Sequence, residues 1–372
     1  MQPHFEQALE ALPRVSFMVT DGFLWWTLQS ASKFKVPRLT FYPMSCYCIA
    51  VSRVATVEGV FSGSQPKDEL VELTPFPWIR VCKDDVEAEF RNMETGGVAQ
   101  EFHSKIIGTS INSYGMVQNS FYELEPAFAD YLISNCSYKT WCVGPFGLAA
   151  DQAKKIYLES DMKPRWIRWL DEKLEHKVSV LYVSFGSQPE VSREQLEEIA
   201  FGLKESSVSF LWVVNKKNWE LPEGFEEIVK NKGMVVSEWV DQREILMHES
   251  VRGFLSQCSW NSVLESVCAG VPILAWPLAS EQHLAARLVV EEIRVGLRVE
   301  TSDGSLRGFV RREGLKKIVK ELMEGKKGKE ATKKVSEWAC MAKKAVEDGG
   351  SSWSNLESLL QEMCVTEGEG KI

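Results

Sequence analysis

The sequence predicts an α/β protein made of two doubly wound, Rossmann-like halves, and three observations carry that expectation. Short runs such as residues 179–185 and 208–214 are almost continuously apolar, as strands buried on both faces of a parallel sheet must be. Between such runs lie charged segments with helical spacing of their apolar residues, residues 312–324 among them. The junctions carry glycine and small polar residues that end a strand and open a helix, as at Gly186-Ser187 and Gln257-Cys258-Ser259. This alternation fills both parts of a chain of 372 residues, long enough for two domains, each with its own core, facing each other across a cleft.

Taken in order, residues 1–12 read as a helix and 15–20 as a buried strand that ends at Asp21-Gly22. A carboxylate at the carboxyl end of such a strand stands where open α/β sheets bind ligands, although a helix N-cap would use the same residue. Phe23, Trp25 and Trp26 follow on a helix, suited either to lining a cleft or to core packing. Residues 38–43 form the next strand, with a helix from Ser45; residues 62–77 are polar and carry Pro and Gly, so they read as a loop. A helix over 98–111, a strand over 115–120 and the segment 141–145 complete the first half. Residues 147–163 read as a linker, and 166–174 as a short amphipathic helix. The second half opens with strand 179–185 and a helix whose Ser192 and Gln195 have capping-box spacing. Strand 208–214, a helix near 223–231, and strand 234–236 lead to residue 239. Beyond residue 282 come a helix to 293, a strand at 295–299, charged helices over 312–324 and 329–348 whose lysines suit solvated faces, and a last helix over 353–363.

Composition narrows the function classes. Hydrophobic residues at 44% and charged residues at 26% are those of an ordinary globular protein. A net charge of −9 without a basic stripe argues against nucleic acid or an anionic membrane as partner and leaves a small molecule, bound by what we expect to be a monomer. Nine cysteines, an odd number without paired CxxC spacing, read as buried, reduced thiols rather than a disulfide framework or a zinc site. No run of 18 apolar residues and no signal peptide at Met1 point to the cytoplasm. No GxGxxG follows any expected strand, which disfavours a nicotinamide-binding Rossmann protein.

The most informative stretch is residues 239–282, WVDQREILMHESVRGFLSQCSWNSVLESVCAGVPILAWPLASEQ. Residues 251–256 read as a buried strand. The helix after it carries Asn261 and Ser262 in its first turn, so its unpaired N–H groups and positive dipole end suit a phosphate. Glu265, one turn on, is placed to accept hydrogen bonds from vicinal hydroxyls. Residues 271–276 form another strand, stopped by Pro277, and Glu281-Gln282 offers polar groups to a sugar.

In length, 44 positions, and in the register of its Trp, Gln, Trp-Asn-Ser, Glu, Gly-Val-Pro, Trp-Pro and Glu-Gln, this stretch resembles the signature box of plant family-1 UDP-dependent glycosyltransferases. The resemblance implies the two-domain GT-B fold, with a first domain over residues 1–146, a linker over 147–165, a UDP-sugar-binding domain over 166–348, and a final helix within 349–372 that returns to the first domain. It implies that Trp239 stacks on uracil and the Val240 backbone meets its edge. Gln242 and Glu265 would hold the ribose, Ser187, Gln257, Asn261 and Ser262 the diphosphate, and the Trp260 backbone, Glu281 and Gln282 the sugar. Gln282 leans toward glucose. Asp21 would be the acid that orients a catalytic histidine, and the reaction would invert the donor carbon during transfer to a hydroxyl of a small metabolite. No cofactor or metal is expected, since helix dipoles and side-chain donors can hold a diphosphate.

Two positions depart from the family's His-Cys-Gly-Trp. Gln257 can donate to phosphate without the charge of an imidazolium, and Ser259 would cost about 1 kcal/mol if its position needs positive φ. None of the five histidines, His4, His103, His176, His248 and His283, matches the family's catalytic position. His283 reads as a surface residue. Family members begin with a strand and a histidine-bearing loop, roughly a hundred residues at ~30 per βαβ unit, before the strand at 15–20, so we expect a truncated first domain. An enzyme and a pseudoenzyme that binds UDP-sugar or a protein partner without transfer are both compatible with these residues.

Overall fold

The computed structural model describes residues 1–60, 66–86, 98–148, 163–186, 191–214 and 224–365. Within the first half, β1 (Met18–Asp21) and β2 (Arg38–Tyr42) pair in parallel. After an antiparallel hairpin of β3 (Val71–Leu73) and β4 (Phe76–Val81), β5 (Gly115–Gln118) and β6 (Lys139–Cys142) complete a four-stranded parallel sheet in the order β1-β2-β5-β6. The helix Cys46–Val57 starts where Ser45 suggested, its hydroxyl accepting from the Cys48 N–H at 2.9 Å.

Two expectations for this half change. The expected loop over 62–77 includes part of the hairpin, Val71–Leu73 and the start of Phe76–Val81: the hairpin buries Leu73 and Phe76, and the Phe76 ring packs 4.9 Å from Phe128 and 5.2 Å from Tyr131. The polar stretch before it hid a short apolar alternation. Nor is the first strand buried throughout. It is an edge strand whose side chains alternate inward and outward, leaving Val19 48% exposed.

The second half holds β7 (Val180–Ser184), β8 (Ser209–Val213), β9 (Gly233–Val236), β10 (Val251–Ser256), β11 (Ile273–Ala275) and β12 (Gly296–Arg298), all parallel, in the order β12-β11-β10-β7-β8-β9. Every residue of β7 is buried, as its apolar run required. Winding runs outward in both directions from the β7–β10 pair, which makes that pair the topological switch point, where such sheets open a crevice outside the carboxyl ends of their strands. Half of the expected capping box forms. Ser192 Oγ accepts from Gln195 N at 3.2 Å, while the Gln195 amide turns to the Val310 backbone, at 2.8 and 2.9 Å.

The halves are joined through side chains. One core runs from Tyr47, Phe76 and Phe128 of the first to Trp260, Leu284 and Val335 of the second. At its margin the buried Asp85 carboxylate accepts from Arg287 Nε at 2.8 Å. The last helix, Ser351–Val365, packs Leu359 and Met363 on Leu39, Val117 and Trp141, and Asn355 donates to the Cys142 carbonyl at 3.0 Å. It therefore lies on the first sheet. Six of the nine cysteines are buried, and no helix among the described residues is long and apolar enough to cross a membrane.

Candidate functional site

At the switch point the carboxyl ends of β7 and β10 nearly touch. Gly186 has φ +75°, and a Cβ there would lie 2.5 Å from Gln257 Nε2, so glycine is required both by its backbone and by the side chain across from it. Ser187, next in the chain, lies outside the described residues. Gln257 is buried; its Nε2 faces Ser259 Oγ at 3.4 Å and its Oε1 accepts from Ser256 Oγ at 3.5 Å. The strain anticipated at Ser259 is absent, because Ser259 has φ −59° and acts as N-cap of the helix Trp260–Ala269. The left-handed residue is its neighbour Cys258, φ 66°, a small thiol that is wholly buried.

The Ser259 side chain makes no capping bond to its own helix. It donates instead to Ser262 Oγ at 3.0 Å, which also accepts from Gln242 Nε2 at 3.0 Å. With both lone pairs engaged, the Ser262 hydroxyl keeps its proton for another acceptor. Gln242 Nε2 reaches Glu265 Oε2 at 2.7 Å, and the buried Tyr182 hydroxyl donates to Gln242 Oε1 at 3.3 Å. Burial raises the Glu265 carboxyl above the ordinary glutamate range, partly offset by the Gln242 hydrogen bond. Gln257, Ser259, Ser262, Gln242 and Glu265 thus form one connected chain of polar groups across the mouth of a helix, a composition that can meet an anion at one end and hydroxyls at the other.

Trp239 and Val240 stand just before that chain, in the loop between β9 and the helix Gln242–Leu246, which Asp241 caps by accepting from Arg243 N and Glu244 N. The Trp239 indole is 83% exposed, an open aromatic face, whereas Val240 packs on the core below. On the other side, Gln282 Oε1 accepts from both Leu278 N and Ala279 N at 3.0 Å, so the turn after β11 holds it and a sugar would meet its amide nitrogen. Glu281, beside it, is half-buried.

Trp260 plays a part its sequence position did not announce. Its ring is fully buried and its Nε1 donates to the Asn119 carbonyl at 2.7 Å, across the two halves. Asn119 Nδ2 also lies 3.4 Å from Asn261 Oδ1. The carboxyl end of β5 therefore meets the amino end of the helix after β10. Sequence reasoning missed Asn119 and Tyr182; the signal for Asn119 was a polar residue directly after a buried strand.

Asp21 ends β1, two strands from β5 along the same edge, about 10 Å at the usual strand spacing. Its Oδ1 accepts from Phe23 N at 2.8 Å, and the buried Arg38 ties β1 to the next helix through Thr20 Oγ1 at 2.8 Å and Thr27 Oγ1 at 2.9 Å. Among the described residues no histidine hydrogen-bonds to Asp21. His248 bonds to Ser250 and Asp171, at 2.9 and 3.2 Å, and His176 is exposed at a helix end. His283, expected on the surface, is instead fully buried with Arg298 against its Nδ1 at 3.2 Å, because the helix that carries it is covered by the first half.

Known proteins resemble this chain in sequence and fold. Residues 172–339 match the family model described as UDP-glucoronosyl and UDP-glucosyl transferase. The chain is 51% identical to UDP-glycosyltransferase 90A1 of Arabidopsis thaliana over 98% of its own length and 76% of the relative's. It is 34% identical to UDP-glucose flavonoid 3-O-glucosyltransferase 7 of Fragaria ananassa, again over 98% of its own length and 77% of the relative's. Among solved structures it resembles Glycyrrhiza uralensis UGT73P12 complexed with glycyrrhetinic acid 3-O-monoglucuronide, with TM-score 0.88, 31% identity and coverage of 98% of this chain and 76% of that one. Phytolacca americana UGT2, complexed with UDP-2fluoro-glucose and pterostilbene, matches with TM-score 0.82 and 28% identity, over 98% and 80%. With two parallel α/β sheets meeting at their carboxyl edges and this degree of likeness, the chain belongs to the plant UDP-glycosyltransferases and has their GT-B fold.

Proposed function

We propose that the chain binds a UDP-sugar, UDP-glucose by the lean of Gln282, and that the family reaction it serves transfers the hexose with inversion to a hydroxyl of a small plant metabolite. The observation that carries this is the hydrogen-bonded chain from Gln257 through Ser259, Ser262 and Gln242 to Glu265, beside the exposed Trp239 indole. The indole would stack on the uracil, with the Val240 backbone at its edge. Glu265 and Gln242 would take the ribose hydroxyls. Ser262, Asn261, Gln257 and Ser187 would take the diphosphate, and the Trp260 backbone, Glu281 and Gln282 the sugar. The 1–146, 147–165, 166–348 and 349–372 division, a cytoplasmic location and a monomeric state belong to the same proposal.

Transfer requires a base, because an acceptor hydroxyl is too weakly acidic to attack the sugar carbon unaided. On this reading Asp21 would orient such a base, and among the described residues no histidine hydrogen-bonds to it. Gln257 and Ser259 in place of the family's His and Gly favour a second reading in which UDP-sugar is bound without turnover. Isothermal titration with UDP tests the binding both readings share: saturable heat is expected, and none at millimolar UDP would overturn them. Release of UDP from UDP-glucose in the presence of a phenolic acceptor then separates the two, since base catalysis contributes about 10²- to 10⁴-fold.

A further inference from the structure

We infer that Asn119, from the first half, is a positioning residue for the donor: it fixes the orientation of the Asn261 amide so that Asn261 Nδ2 points at the diphosphate. This rests on the donor reading above. The geometry runs in three steps. Asn119 Oδ1 accepts from Phe146 N at 2.9 Å, and it fills the space that a Cβ on Gly144 would need, 2.4 Å away. A backbone N–H can only donate, so this contact decides which end of the Asn119 amide is oxygen, and its Nδ2 must be the atom facing Asn261. A donor facing Asn261 selects its Oδ1, at 3.4 Å, which turns the Asn261 Nδ2 group outward on an exposed side chain at the second residue of the helix.

Asn119 is itself held. It is 8% exposed, and its carbonyl accepts from Trp260 Nε1 at 2.7 Å, so one residue of the first half grips the first two residues of the phosphate-facing helix. Were Asn261 to flip, it would present a carbonyl oxygen, an acceptor, to an anion. The docking of the two halves thereby sets the polarity of one wall of the donor site.

The test compares UDP with uridine, which shares the base and ribose but lacks the phosphates, by titration calorimetry on the full chain. Asn119→Leu removes the donor without adding charge. We expect UDP affinity to fall about fivefold, the worth of one hydrogen bond, with uridine affinity within about twofold of wild type. In an Asn261→Ala background the same substitution should change UDP affinity by less than about twofold, since the residue it acts through is gone. Equal losses for UDP and uridine, or a fivefold loss that persists without Asn261, would overturn the inference. If Asn119→Leu does not fold, Asn119→Asp keeps the acceptor for Phe146 N and the size of the side chain. It should lower UDP affinity by more than Leu was expected to while sparing uridine, and unchanged UDP affinity would refute the inference. Wild-type protein that binds uridine and UDP equally would refute it and leave the base and ribose assignments standing; wild type that binds neither would overturn the donor reading as well.

Discussion

The two sheets of this molecule are not equally covered. In the second, β7 and β10 lie at the centre of six strands and apolar residues pack against both faces. In the first, β1 has a strand neighbour on one side only among the described residues; the helix Ser351–Val365 covers Leu39, Val117 and Trp141 but leaves Val19 exposed. The difference separates two tasks. A rigid central pair can hold binding groups in register, whereas an edge strand carrying Asp21 needs outside help, which here comes from Arg38 buried against Thr20 and Thr27.

The comparison breaks first at the centre. Phe254 on β10 is fully buried and stacks on Tyr182, ring centroids 4.9 Å apart. Phe254→Ala should cost about 3–5 kcal/mol in denaturant unfolding, through lost burial and the cavity left behind. A loss under about 1 kcal/mol would mean that the second sheet is no better packed than the first. Next in size is the junction between the halves. Asp85→Asn leaves the buried Arg287 guanidinium facing an amide, with the half-exposed Glu291 at 3.0 Å as its remaining partner. About 3 kcal/mol of destabilisation is expected, with both halves affected together if they unfold as one unit.

A smaller effect sharpens the functional side. On the proposed donor reading, Glu265→Gln should weaken UDP and uridine alike, by about tenfold, because it would remove charged hydrogen bonds to ribose rather than to phosphate. Its pH dependence has a definite sign. Burial raises the Glu265 carboxyl, so in acid it gains a proton sooner than a free glutamate would, and the protonated form loses acceptor strength. Uridine affinity of the wild type should therefore begin to fall on acidification while still above pH ~4.3, the ordinary glutamate value, and Glu265→Gln should flatten that profile. The same linkage makes the ionised group a cost to the fold: its contribution favours folding below the unfolded-state value and is lost as pH rises through the raised folded value. Uridine is the right ligand here, having no phosphate that titrates in this range.

Much of this was legible in the chain. Continuous apolar runs marked β7, β8 and β10 because burial on both faces admits little else, and Ser45 and Ser192 marked helix starts because a hydroxyl there meets an orphan N–H. The grouping of Gln242, Ser262 and Glu265 was implied by the resemblance of residues 239–282 to the family's signature box, and hydrogen bonds join the three in the structure. What stayed hidden depended on contacts between distant segments. The 71–81 hairpin gains its order from Phe128 and Tyr131, His283 is buried by elements of the other half, and Asn119 reaches Trp260 only because the two sheets meet edge to edge. The positive φ at Cys258 rather than Ser259 is a backbone fact that residue type did not disclose.

The smallest expected effect is at the edge strand. Val19 pairs with Leu39 on the face that the last helix covers, yet at the margin of that cover it stays 48% exposed, so Val19→Thr removes little buried surface and should change unfolding free energy by less than about 0.5 kcal/mol. Val19→Lys should be similarly neutral in stability while reducing light scattering at high protein concentration, because a charge on an open apolar face opposes association. The pair of substitutions measures two different things, covered area and free surface. If Val19→Thr instead costs more than about 1 kcal/mol, the face beside β1 is covered in solution, by a second copy or by some other partner, and dilution of the protein should then lower its stability.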